Sequence, residues 1–157
     1  MRPVRIRSEP RAIRPRLVSA PPAFASQTDS AYHSGVIRLL VADDSAPVIR
    51  SLRGLPESAE DVRIVGEAKD FDEAFRLTET LRPDVLLMER NLPGSKTRIF
   101  DLRNLAATCA CPVVAMSFAA DFNAHKMAAT IGAVRLLDKV KLHDTLIQTL
   151  CEVVRPK

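Results

Sequence analysis

The stretch Pro83-Asp84-Val85-Leu86-Leu87-Met88-Glu89-Arg90-Asn91-Leu92-Pro93-Gly94 decides how this chain is read. Val85 to Met88 run straight into a carboxylate, and a Pro-Gly pair closes the segment. A short apolar run bounded by turn signals predicts a buried strand of a parallel sheet. Glu89 then stands at the carboxyl end of that strand, the edge where open α/β sheets gather their ligands.

The flanking sequence repeats the pattern. Upstream, Val36 to Ala42 is apolar except for Arg38 and predicts a central strand, followed by Asp43-Asp44-Ser45. Ser45 or Asp44 suits a helix N-cap and Pro47 its first turn, with Val48, Leu52 and Leu55 on one face. Val62 to Ala68 predicts a second strand, and its polar members put it nearer the sheet edge. Asp70 caps the next helix, with Glu73 three residues on in a capping-box-like pair. Phe71, Ala74, Phe75, Thr78 and Leu81 form its inner face, and Pro83 stops it.

Downstream, Ile99, Leu102, Leu105 or Ala106, and Cys109 predict a third helix, and Val113 to Met116 a fourth buried strand ending at Ser117. Asp121 caps a helix with the apolar face Ala124, Met127, Ala128 and Ile131, which Gly132 ends. Met116 and Met127 both read as core. Val134 to Leu137 predicts a fifth strand ending at Asp138-Lys139, and Leu142, Leu146, Leu150 or Cys151, and Val154 mark a last helix. This alternation predicts an α/β fold, a five-stranded parallel doubly wound sheet with helices on both faces.

Composition narrows the function classes. The 157 residues suit one domain with a tail, 46% are apolar, and no run reaches the length of a membrane span. The net charge of +4 lies in residues 1–34, where six Arg face Glu9 and Asp29. The same segment holds Pro3, Pro10, Pro15, Pro21 and Pro22, which forbid a continuous helix and predict a disordered basic Arg/Pro-rich extension. Those prolines also spoil the amphipathic helix of a transit peptide, and an apolar signal core is missing. Residues 35–157 form the folded unit and carry no net charge, so sequence-specific DNA binding is not expected. Three cysteines without C-x-x-C spacing suggest buried thiols in a reducing cytoplasm.

The strand ends together carry Asp43 and Asp44, Glu89 with Asn91 beyond it, Ser117, and Lys139. A doubly wound sheet brings such ends to one edge. Carboxylates beside a lysine and a hydroxyl suit a hard cation such as Mg²⁺ and a phosphoryl group. Most of these residues also have a plainer role: Asp43 and Asp44 as a helix cap and solvated loop, Ser117 and Asn91 as turn residues, Lys139 as a solvated surface charge.

From about Val36 to Val154 the chain resembles the receiver domains of two-component response regulators. Leu39-Leu40-Val41-Ala42-Asp43-Asp44-Ser45 is similar to the family's strand and acidic pair, and Pro83 to Gly94 to its phosphoacceptor strand and loop. Pro112 to Ser117 matches the strand carrying the switch hydroxyl, and Gly132 to Lys139 the segment carrying the pocket lysine. The resemblance implies a flavodoxin-like (βα)5 fold with strand order 2-1-3-4-5. It also implies an acidic pocket of Asp43, Asp44, Glu89 and the Asn91 backbone, with Ser117 and Lys139 facing a phosphoryl group.

Three positions depart from the family pattern. The phosphoacceptor is an Asp in the family and is Glu89 here; the aromatic switch position holds Leu136; Val140 stands where many receivers have Pro. The extra methylene carries the Glu89 carboxylate roughly an ångström further, a displacement that can cost about 10²-fold in rate. The longer arm could instead contact Lys139. The leading expectation is a stand-alone, atypical receiver that is not an enzyme and acts through protein contacts with a sensor histidine kinase or another signalling protein. A homodimer is compatible with this reading. The alternatives are a phosphorelay receiver with another acceptor, such as Ser117 or an acidic-pair Asp, and a flavodoxin-like enzyme or ligand-binding protein. The last lacks any Gly-rich phosphate loop in its support.

Overall fold

Five short strands stand where the apolar runs predict them: β1 (Ile37–Ala42), β2 (Val62–Ala68), β3 (Val85–Glu89), β4 (Val113–Ser117) and β5 (Arg135–Asp138). The computed structural model describes residues 35–55, 61–94, 107 and 109–155. The disorder expected over residues 1–34 and most of the helix expected from Ile99 to Cys109 lie outside them. All strand pairings are parallel, and the order is β2-β1-β3-β4-β5, the flavodoxin-like arrangement. The described helices are α1 (Ala46–Arg53), α2 (Phe71–Leu81), α3 (Phe122–Thr130) and α4 (Leu142–Val154). A single 3₁₀ turn, Lys139–Lys141, links β5 to α4.

Alternation along the strands sends side chains to two cores. Ile37, Leu39 and Val41 of β1 join Val85 and Leu87 of β3 against Leu52 of α1 and Leu146 and Leu150 of α4. Leu40, Leu86 and Met88 join Phe71 and Ala74 of α2 and Ala128 of α3 on the other face. Every residue of β3 and β4 is buried, which is why both read as unbroken apolar runs. β2 lies at the edge, with one residue more than β1 between Ile64 and Gly66, a bulge in the ladder.

The caps follow local chemistry. Asp70 accepts a hydrogen bond from the Glu73 N–H at 2.8 Å, and the Glu73 carboxylate accepts from the Lys69 N–H at 3.0 Å. Asp121 accepts from the Ala124 N–H at 2.8 Å. At the far end of α2, Arg82 takes a left-handed conformation (φ 45°). Arg38, the one charge in β1, holds that end: its guanidinium donates to the carbonyls of Leu81 and Arg82 at 2.7 and 2.8 Å. Its backbone N–H donates to the Asp84 carboxylate at 2.7 Å. Arg38→Ala should therefore lower stability by about 1 kcal/mol, because helix-end carbonyls lose charged donors that water only partly replaces. A shift of the urea midpoint at constant slope would measure it; an unchanged midpoint would show that the contact contributes nothing.

Two expectations are corrected. Met127 is not core: it is 45% exposed. Ala124, Ala128 and Ile131 fill the inner side, and Met127 precedes Ala128 by one position, which turns it about 100° away around the helix. The fifth strand starts at Arg135, one residue later than predicted, and Val134 is exposed. Met116 is fully buried, as expected. Cys109 and Cys111 are buried thiols; burial above all, with the neighbouring Cys109 and Asp84 adding to it, pushes Cys111 up to about 11. Among the described residues, no helix is long and apolar enough to cross a membrane.

Candidate functional site

Strand order decides which side chains meet. β1, β3, β4 and β5 are successive neighbours, and their registers align Ala42 with Met88, Glu89 with Met116, and Ser117 with Asp138. The residues at or just past these ends therefore share one edge of the sheet. Glu89 is the last residue of β3 itself, and it is buried together with Asp43 and Ser117.

Lys139, the first residue of the 3₁₀ turn, reaches across the end of β4. Its ammonium pairs with Asp43 Oδ2 at 2.6 Å and with Glu89 Oε2. Its side chain is only 3% exposed. The remaining oxygens are also used. Asp43 Oδ1 accepts from the Ser45 N–H at 2.7 Å, and Glu89 Oε1 accepts from the Asn91 N–H at 3.0 Å. Two buried carboxylates thus share one buried ammonium, leaving a formal charge of −1 moderated by two backbone donors. Unpaired, such charges would be strongly disfavoured away from water.

The other sequence candidates are placed as follows. Asp44 is exposed and lies on the wall of a cavity of about 480 Å³ that also touches Asp43, Ala46, Ile49 and Arg50. Asn91 is exposed as a side chain and enters the site through its N–H. Ser117 Oγ accepts from the Ala119 N–H at 3.2 Å and fixes the loop after β4. Leu136 is half-buried and packs against the core cluster that contains Leu86 and Ala115. His125 and His143 are exposed; His143 Nε2 lies 2.7 Å from Ser51 Oγ.

Two contacts escaped the sequence reading. Phe118, the residue after Ser117, lays its ring over the Lys139 ammonium, with 4.8 Å between Nζ and the ring centroid. Its signal was an aromatic directly after a strand-end hydroxyl in a chain with 4% aromatic residues. Arg53 and Glu67 form a bidentate pair at 2.7 and 2.6 Å on the same cavity wall. The hydrogen bond from Arg53 holds the Glu67 carboxyl below its usual range. That pair joins α1 to β2, elements whose contact no local pattern announces.

In this arrangement a Mg²⁺ ion would compete with Lys139 for the Asp43 and Glu89 carboxylates. No group of three or more carboxylate, histidine or cysteine ligands converges among the described residues. The oxygens of Asp43 and Glu89 already face Lys139 or a backbone N–H, and Asp44 is exposed. An ion would have to displace the ammonium.

A doubly wound sheet in this order, with acids and a lysine gathered at its carboxyl edge, defines a flavodoxin-like protein with a charged pocket at the ends of β1, β3 and β5. The response regulator receiver domain matches residues 39–151, and the chain belongs to that family. It is 40% identical over 105 residues to a protein-glutamate methylesterase/protein-glutamine glutaminase of Myxococcus xanthus, covering 66% of this chain and 30% of that protein. It is 43% identical over 58 residues to the Methanococcoides burtonii protein of the same name, covering 37% of this chain and 16% of that one. The chain thus spans less than a third of either relative. Among solved structures it is similar to the response regulator domain of Thermotoga maritima CheB, with a TM-score of 0.67 and 25% identity. That match covers 78% of this chain and 99% of the other. The receiver domain of NarL from Mycobacterium tuberculosis shares the fold, with a TM-score of 0.67, 20% identity and coverage of 78% and 98%.

Proposed function

We propose that this chain is an atypical receiver of two-component signalling, in which Glu89 replaces the phosphoacceptor and which works through protein contacts. The observation that carries this reading is the ion pair between Glu89 and Lys139. A receiver acceptor must offer a free carboxylate oxygen to phosphorus while a nearby cation waits for the phosphoryl charge. Here Glu89 Oε2 is held by the lysine and Oε1 by the Asn91 N–H. Attack would require breaking a buried ion pair first, and the longer arm would bring the oxygen to the wrong point. Positioning errors near 1 Å cost about 10²-fold.

The same pairing supports a standing signalling state. The lysine is already neutralised by a carboxylate that extends toward it, as it would be by a phosphoryl group. In this reading the exposed side chains around α3, β5 and α4 meet a sensor kinase or another signalling protein. Similarity to the receiver part of methylesterases supports a place in a phosphorelay but brings no esterase chemistry to the 39–151 segment.

The test is exposure of the purified chain to acetyl phosphate with Mg²⁺, followed by intact-mass measurement and a beryllofluoride titration. No stable species heavier by about 80 Da, the mass of one phosphoryl group, and no beryllofluoride response are expected. Stable label on Glu89 would refute the reading. Label on Ser117, Asp43 or Asp44 would instead favour a relay receiver with a substitute acceptor.

A further inference from the structure

Phe118 is 64% exposed and belongs to neither core cluster, yet it touches the most enclosed cation of the site. Packing does not account for an aromatic there. The pairing of Ser117 with Asp138 sets residues 118 and 139 side by side at the sheet edge, so the ring lies across the ammonium while Asp43 and Glu89 hold it. A cation held over a ring face is attracted by the ring's quadrupole. The outer face of the ring meets solvent, while the lysine side chain it covers is only 3% exposed.

We propose that Phe118 is the access-determining residue of the carboxylate pocket: its ring covers the Lys139 ammonium and closes the route by which a small phosphoryl-bearing anion would reach Lys139 and Glu89. What the pocket would receive rests on the receiver reading above; the closure itself rests on the ring, the lysine and its two carboxylates. Entry requires the ring to swing outward, which its exposure permits without disturbing the core. Two independent barriers then guard the acceptor position, the ion pair and the ring.

Limited acetylation of the folded chain with sulfosuccinimidyl acetate, read lysine by lysine by peptide mass spectrometry, tests the closure. Lys126 and Lys141 are exposed and serve as internal references. In the parent, Lys139 should lag far behind both. Phe118→Ala should speed its labelling about tenfold relative to those references, and Phe118→Tyr, which keeps the ring face, should match the parent. Unchanged rates at Lys126 and Lys141 would report an intact fold. Lys139 labelling no faster in Phe118→Ala than in the parent would overturn the proposal, as would Phe118→Tyr reacting like Phe118→Ala. The assay involves no phosphoryl transfer, so loss of the inert-Glu89 reading would leave its outcome unchanged.

Discussion

Lys139→Met is expected to lower the stability of the domain by about 3 kcal/mol, the range found when one member of a buried ion group is removed. The methionine is close in length and leaves the packing nearly as it was. What it removes is the one positive charge that, among the described residues, Asp43 and Glu89 share. Both carboxylates then remain buried against one another, each with a single backbone donor. In thermal unfolding the loss should appear as a fall of about 10 °C for a domain of this size. Adding Asp43→Asn should recover part of it, since the amide oxygen can still accept from the Ser45 N–H and one buried charge is gone. If the double variant is less stable than Lys139→Met alone, the charge account is wrong. Millimolar Mg²⁺ should raise the midpoint of Lys139→Met and leave the parent unmoved, because only the variant frees carboxylate oxygens for a divalent ion. An equal shift in both would show that the ion enters beside the lysine.

The strands were legible because a parallel sheet covered on both faces leaves continuous apolar runs, and β3 and β4 are of that kind. Once their order was set by the receiver resemblance, the meeting of Asp43, Glu89, Ser117 and Lys139 at one edge followed from topology. The contact of Glu89 with Lys139 was also legible, since one added methylene supplies the reach. Other features depend on contacts that no window of residues contains. Arg38 breaks the apolar run of β1, and its purpose appears only when α2 ends beside it. Met127 was misread because a short helix lined by Ala124 and Ala128 needs few large side chains inside, and the apolar stripe looked wider than it is. Asp43 and Asp44 are chemically alike in the sequence, and only the turn into α1 buries one and exposes the other. The Phe118–Lys139 contact joins two residues on adjacent strand ends, and neither position signals it alone.

Glu89→Asp should turn the inert site toward phosphotransfer. The shorter arm withdraws the carboxylate by roughly an ångström from Lys139, which opens the ion pair and leaves the ammonium with Asp43. An aspartate oxygen can then attack the phosphorus of acetyl phosphate; the P–O bond to the acetyl group breaks, and acetate departs as a carboxylate. The new phosphoryl charge would face Lys139, and Ser117 Oγ, now occupied by the Ala119 N–H, has a hydroxyl proton to donate to it. The labelling rate should rise about 10²-fold over the parent, the factor that a misplacement of this size removes. Stability should change little, because one of the two carboxylate partners of the lysine stays in place. Beryllofluoride binding should appear with the label, as both need a carboxylate oxygen free to join a tetrahedral anion. If Glu89→Asp gains neither, the arm length is not what blocks the pocket, and Phe118→Ala in the same background becomes the decisive variant. If that pair also stays unlabelled, the charged edge of this sheet serves to hold the fold in one conformation rather than to accept a phosphoryl group.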